Sequence, residues 1–396
     1  MEYSVETRCQ HLQGADINEH YGAVSFPIYQ SSTFAHKGFG VSSGYDYSRL
    51  QNPTRNHLER IVAGLEHGTD CIALASGISA IGCVMELFGP GDHVLIDEDL
   101  YGGSIRLFRE INQKNGVEFS SAALHETDVE NLIKDNTKAI YLETPTNPMM
   151  NVTDLRKLSG ITKRHGILLI VDNTFMSPYL QNPLDLGADI VIHSGTKFLA
   201  GHHDAIAGFI VVKDQALSEH LRFLFKSTGA GLSPFDSWLI IRGIKTLAVR
   251  LDRAEENAHK IADFLKNDKR VTRVLYPGLK EHPGHAIMKE QARGFGAMIT
   301  FDVPSKEFAV KVLENLDIIL FAESLGGTES LITYPITQTH ADVPSEILEK
   351  NGIHETTLRL SVGIENVDDL IEDLRHAFEA AENMDNADYQ TNKEIA

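Results

Sequence analysis

ILLIVDNTFMSPYLQNPLDLGADIVIHSGTK, residues 167–197, holds two short apolar runs, each of which stops abruptly at polar residues. The first, ILLIV, closes on Asp172, Asn173 and Thr174; the second, DIVIH, closes on Ser194, Gly195, Thr196 and Lys197. Near-continuous apolar runs of this length suit parallel strands covered on both faces. The pattern recurs on either side, in CIALAS (71–76), HVLID (93–97), KAIYLE (138–143) and GFIVV (208–212). Helical periodicity fills several of the intervals, as at 78–88 and 154–165. Strands alternating with helices predict an α/β fold: a mostly parallel sheet with helices on both faces.

Further along the chain the order loosens. A long helical stretch over 235–268 is followed by RVLYPG, AMITFDV, IILFAES and LRLSVGIE, with helices near 306–315 and 366–382. This reads as a smaller C-terminal α+β domain, and NMDNADYQTNKEIA (383–396) as a frayed polar tail. Residues 1–60 have weak periodicity and many turn formers, among them Gly22, Pro27, Gly38, Gly40, Gly44 and Pro53. A segment with so little core of its own must lie across something else. The expected division is an arm over 1–60, a large domain over 61–255 and a small domain over 256–396.

Composition narrows the function. The 396 residues carry a net charge of −19, which provides no general positive field for nucleic acid or an acidic membrane. Cys9, Cys71 and Cys83 lack metal-ligand spacing, and an odd number cannot form a complete disulfide set. The first residues, MEYSVETRCQHLQ, lack a basic stretch leading into an apolar one, and no apolar run approaches membrane-spanning length. The expected setting is the cytoplasm.

Ligands of open parallel sheets collect at the carboxyl ends of the strands, so the residues there carry the functional reading. A carboxylate such as Asp172 closing an apolar strand is costly to desolvate unless a partner compensates it. Lys197 follows two hydroxyls at the end of the next run. Taken singly, each has a bland reading, as a helix cap or a solvated side chain. Together they suit pyridoxal 5'-phosphate (PLP), which needs a lysine for its Schiff base and an acid to keep the pyridine nitrogen protonated. Ser194 and Thr196 supply hydroxyls for a phosphate. Ser76-Gly77-Ile78-Ser79, where a strand meets a helix, offers backbone N–H groups of the kind that bind anions.

The runs YDYSRLQNPTR (45–55), ASGISAI (75–81), DLYGGSIRLF (99–108), ETPTNP (143–148), VDNTF (171–175), HSGTKFLAGHHD (193–204), ESLGGTESLITYP (323–335) and LRLSVGIE (358–365) resemble the Cys/Met-metabolism PLP enzymes, in consistent order from about residue 5 to 380. The resemblance implies the aminotransferase-like (type I) PLP fold and an amino-acid substrate. Lys197 would carry the cofactor and shuttle protons, and Tyr101 would stack on its ring as the second catalytic side chain. Asp172 would pair with the pyridine nitrogen, and Asn147 would lie near the ring hydroxyl. Gly77, Ile78, Ser194 and Thr196 would hold the phosphate; Ile78 stands where many members carry methionine, but that contact is through the backbone. Tyr47 and Arg49 would reach the phosphate of a neighbouring subunit, making a homo-oligomer, a dimer of dimers. Arg359, helped by Ser324, would clamp the substrate α-carboxylate. In TTLRLSVG the alternation sets Thr357, Arg359 and Ser361 on one face, as a pocket-facing strand or a solvated one would.

Within the family, Glu323 before SLGG, Asp46 in DYSR and Arg106 in YGGSIRLF are most similar to enzymes of the cystathionine γ-synthase type, which join an O-acylhomoserine to cysteine. Arg106 would anchor a distal carboxylate, and Asp46 and Glu323 would receive the amino group of cysteine. Cystathionine γ- or β-lyase and acylhomoserine sulfhydrylase activities stand as alternatives. Other classes fit less well. His193, His202, His203 and Asp204 lack the HExxH pattern and the glutamate of a metal hydrolase, so no metal is expected. GISAI (77–81) fails the serine-hydrolase G-x-S-x-G at its last position, and no strand leads into a G-x-G-x-x-G. A non-catalytic binding protein on the same fold has no use for both Asp172 and Lys197.

Overall fold

In the computed structural model, which describes residues 3–12 and 21–394 and side chains of the last helix as far as residue 383, the apolar runs pair into one large sheet. Its strands are β1 (Asp70–Leu74), β2 (His93–Asp97), β3 (Glu118–Ala122), β4 (Thr137–Glu143), β5 (Leu168–Asp172), β6 (Ile190–Ser194) and β7 (Gly208–Val212), in the order β1-β7-β6-β5-β4-β2-β3. Leu169, Val171 and Val191 point into one hydrophobic cluster and Ile170, Ile190 and Ile192 into another. The strands are therefore apolar throughout because both faces are covered. Each such side chain contributes about 1.5–3 kcal/mol through burial. Truncating Ile170 to alanine would cost about 2–5 kcal/mol.

Two strands depart from the expected pattern. β7 runs antiparallel to both β6 and β1. A parallel return needs a long crossover, and residues 195–207, which carry Lys197, contain no helix to make one. β3, reading EFSSA, has no apolar signature because it is a half-exposed edge strand.

Helices Gly77–Met85 and Leu155–His165 fall where periodicity puts them. Asp154 caps the second by accepting from Lys157 N, and Gly166 ends it at φ +64°. The sequence reading passed over the helix Gln215–Thr228. The stretch read as one long helix is two, Pro234–Ile244 and Leu247–Asn267. The break is held at the Gly243 carbonyl, which accepts from Thr246 N at 3.1 Å, Thr246 Oγ1 at 3.0 Å and Arg250 Nη2 at 3.0 Å.

A second sheet follows, in the order β10-β11-β12-β9-β8, from β8 (Arg273–Leu275), β9 (Met298–Asp302), β10 (Leu320–Phe321), β11 (Leu331–Thr333) and β12 (Thr357–Ser361). β12 is buried at all five positions. Phe378 of the helix Val367–Glu394 packs among Phe264, Phe301 and Phe308. That helix continues through residues expected to fray, since 383–394 contain no glycine or proline to stop it. The helix Leu247–Asn267 runs across residue 255, so one continuous element spans the expected domain boundary.

Candidate active site

The site is built where β5 and β6 end side by side. Thr174, which the sequence reading did not single out, joins them: its amide donates to Asp172 Oδ1 at 2.9 Å, and its hydroxyl accepts from Ser194 N at 2.8 Å. The visible signal was a hydroxyl two residues after a strand-end aspartate, a local turn pattern. Behind the strand ends, buried Glu66 accepts from Asn173 at 2.8 Å and pairs with His193 at 2.6 Å. Burial pushes the Asp172 carboxyl above the usual range, while bonds from Thr174 pull it back.

β1 runs into the helix that begins at Gly77, and Ser76 caps it by accepting from Ser79 N at 3.1 Å. The first-turn amides of a helix have no partner within it, and they carry the positive end of its dipole. Gly77 permits a close approach here, since a β-carbon on it would stand 2.9 Å from Ser194 Cβ. The Thr196 hydroxyl is bonded on both sides to Ala207, accepting from its N–H at 3.1 Å and donating to its carbonyl at 3.3 Å.

Lys197 Nζ donates to Ser324 Oγ at 2.9 Å. Its pKa is lowered to about 8, first by burial and then by the nearby positive charge of Arg359, against the opposing charge of Glu323. Ser324 sits at φ +100°, unusual for a residue with a side chain. The segment is tightly seated, since a β-carbon on Gly326 would come within 2.7 Å of Phe198 N.

Arg359 lies on the buried central strand β12, which excludes the solvated face. Its Nη1 donates to Asn147 Oδ1 at 2.7 Å, and Nη2 donates to the Ser324 carbonyl and to Thr333 Oγ1, each at 3.2 Å. Its Nε has no hydrogen-bond partner among the described residues. Burial lowers its pKa to about 10, so the group is still charged at neutral pH. A buried cation with an unused donor suits a carboxylate ligand.

Glu143 is a second residue missed from sequence. It closes β4 directly opposite Asp172 in the strand register and accepts from Tyr101 N at 3.0 Å. Burial, then the neighbouring Asp172 charge, holds its carboxyl well above the usual range. Its signal was the one used for Asp172, an apolar run ending in a carboxylate. Tyr101 lies over Gly103, where a β-carbon would stand 2.4 Å from the ring.

Gly77, Ile78, Tyr101, Glu143, Asn147, Asp172, Thr174, Ser194, Thr196, Lys197, Glu323, Ser324, Thr339 and Arg359 all line one cavity of about 330 Å³. Four expected site residues lie away from it. Arg49 Nη1 donates to the Lys226 carbonyl at 2.9 Å, and the Arg49 guanidinium stands 5.7 Å from the exposed Tyr47 ring. The Asp46 carboxylate accepts from Ser42 at 2.6 Å. The Arg106 guanidinium pairs at the surface with Asp342 at 2.5 Å, so within this chain it does not meet the expectation of an anchor inside the cavity. Elsewhere His202 bonds the Ala200 carbonyl and His203 faces Glu329, and among the described residues no cluster of three acidic, histidine or cysteine side chains is set to hold a metal. Cys9, Cys71 and Cys83 are buried and unpaired. No described helix is long and apolar enough to cross a membrane.

The model of the Cys/Met metabolism PLP-dependent enzymes matches residues 7–379. The chain belongs to this family. It is 49% identical to a cystathionine gamma-lyase of Bacillus subtilis over 364 residues, 91% of this chain and 96% of that one. It is 46% identical to a cystathionine beta-lyase of Lactococcus lactis subsp. cremoris over 377 residues, covering 95% and 99% of the two chains. Its backbone matches the crystal structure of cystathionine gamma synthase from Xanthomonas oryzae pv. oryzae in complex with cystathionine, with a TM-score of 0.94, 40% identity and coverage of 97% and 100%. The protein is thus a PLP-dependent enzyme of sulfur amino-acid metabolism with the type I fold. The donor set fits the cofactor: a half-buried amine of lowered pKa, a half-buried carboxylate at the neighbouring strand end, and an open helix N-terminus beside two hydroxyls.

Proposed function

We propose that Lys197 holds PLP covalently, with Asp172 at the pyridine nitrogen, Asn147 near the ring hydroxyl and Tyr101 against the ring face. Gly77, Ile78, Ser194 and Thr196 take the phosphate. Tyr47 and Arg49 complete the phosphate site of a neighbouring copy, so residues 1–60 act as an arm between subunits of a cytoplasmic homo-oligomer, a dimer of dimers. In this reading 61–255 bind the cofactor and 256–396 form the smaller domain. The arm's exposed Phe39, Val41 and Tyr47 support a second copy as its seat.

Bound PLP supplies an electron sink that makes protons on an amino acid's α- and β-carbons removable. Lys197 Nζ takes and returns those protons, and its bond to Ser324 Oγ holds it at one place. Arg359 clamps the α-carboxylate, with its unused Nε as a further donor. Fixing the substrate at that end allows one amine to serve two adjacent carbons, and such positioning supplies several kcal/mol of a barrier.

The reaction that fits is γ-replacement: the sulfur of cysteine bonds to the γ-carbon of an O-acylhomoserine, whose acyloxy group leaves as the free carboxylate. The observation that carries it is Glu323, whose carboxylate lines the cavity near both Lys197 and Arg359. There it can receive the amino group of incoming cysteine. With Arg106 engaged by Asp342, an O-acetyl substrate, which has no distal carboxylate, is favoured over an O-succinyl one. Cleavage of cystathionine is the second reading, favoured by the 49% identity to the Bacillus subtilis gamma-lyase. The purified enzyme, given cysteine with acetyl- or succinylhomoserine, is expected to make cystathionine. If it ignores acylhomoserines and releases homocysteine, pyruvate and ammonia from cystathionine, it is a β-lyase. Release of cysteine, 2-oxobutyrate and ammonia would make it a γ-lyase.

A further inference from the structure

His340 is buried and outside the roles so far assigned. Its Nε2 lies 3.2 Å from the Leu100 carbonyl and 3.2 Å from the Asn147 carbonyl. Carbonyls only accept, so Nε2 carries the proton and is shared between them. Nδ1, 2.8 Å from Thr339 Oγ1, is then the acceptor of that hydroxyl. The ring is a neutral imidazole with all its polar capacity engaged. Burial and the nearby Arg359 charge, which lower its pKa to about 4, agree with that state.

The two carbonyls belong to two stretches of wall that follow the neighbouring strands β2 and β4. Leu100 precedes Tyr101. Asn147 carries the side-chain oxygen that accepts from Arg359 at 2.7 Å. The segment bearing His340 is pressed onto the first wall, since a β-carbon on Gly102 would stand 2.2 Å from the Thr339 carbonyl. Arg106 and Asp342 pair across the same seam, and Asn351 Nδ2 bonds the Glu98 carbonyl at 2.8 Å beyond it.

We infer that His340 is a positioning residue for substrate: it latches the segment around Thr339 to both walls and sets the Asn147 backbone from which Arg359 is oriented. The inference rests on the reading of Arg359 as the carboxylate clamp. Its test uses the holoenzyme and glycine, an amino acid with no leaving group, with Kd read from visible absorbance alongside KM and kcat for the reacting substrate. His340→Phe keeps the ring but removes both bonds, and is expected to raise the glycine Kd and the KM about tenfold with kcat within about threefold. His340→Gln restores a donor and an acceptor and should bring both back to within about threefold. Arg359→Ala is the control. If it leaves the glycine Kd unchanged, the clamp reading fails. If it raises Kd while a folded His340→Phe protein does not, the latch fails. Should His340→Phe not fold, Thr339→Val decides, because it keeps the shape of the side chain in the cavity wall and removes the hydroxyl bond to Nδ1. A rise of about threefold supports the latch and an unchanged Kd overturns it.

Discussion

Lys197 and Arg49 are both cations proposed to hold the cofactor, yet the chain treats them in opposite ways. Lys197 is held among partners from its own chain, with Ser324 on its amine and Arg359 and Glu323 nearby. Its environment shifts its chemistry. Arg49 lies in the segment proposed as an arm, which holds the isolated bridges Thr33↔Tyr47 and Gly38↔Val41, and its guanidinium bonds a backbone carbonyl at the surface. The sheet ends gather most of the proposed reaction centre within one chain because three buried strands converge there. The arm presents aromatic and cationic groups whose proposed use lies outside the chain.

The largest expected effect falls on the sheet ends. Lys197→Ala should lower turnover by about a thousandfold or more, since it removes both the covalent attachment and the proton carrier. Borohydride reduction of the wild-type holoenzyme should fix the label on the Lys197 peptide; a label on another lysine would overturn the assignment.

Arg49→Ala tests the proposed arm and is expected to cost about tenfold to a hundredfold, the worth of one or two bonds to a charged phosphate. Mixed with Lys197→Ala under conditions of verified subunit exchange, it should regain activity, because one hybrid site keeps both residues. Absence of recovery would mean a self-contained site.

A smaller effect sharpens the account of Lys197 itself. Because its folded-state pKa is depressed to about 8, the amine is mostly protonated at pH 7 and mostly free above pH 8. The rate at which apoenzyme takes up PLP, followed by visible absorbance, should rise about tenfold per pH unit below 8 and level off above it. A rise continuing past pH 10 would show a lysine in ordinary solvent. The smallest effect is expected at the rim: Arg106→Ala should change kcat/KM within about threefold for acetyl and succinyl substrates alike, as befits an exposed ion pair. A selective loss with the succinyl substrate would return Arg106 to the site.

The buried strands, the helix after β1 and the placing of Asp172 and Lys197 at neighbouring strand ends on one cavity were legible in sequence because each is local. A strand covered on both faces must be apolar along its length, so the polar residue that ends it stands out and marks the ligand end. β3 escaped because an edge strand needs no apolar run. Thr174 and Glu143 sat inside quoted motifs, but only their bonds to Ser194 and Tyr101 reveal what they hold. The rest needed the tertiary structure. Arg359 meets Asn147 across 212 positions and His340 meets Leu100 across 240. Asp342 engages Arg106 across 236. No periodicity encodes such meetings: they arise from how β12 and the segment around Thr339 pack against the strand ends. Residue type and spacing determined which chemistry the chain can host, while packing decided which of its charged groups face the cavity and which are spent elsewhere.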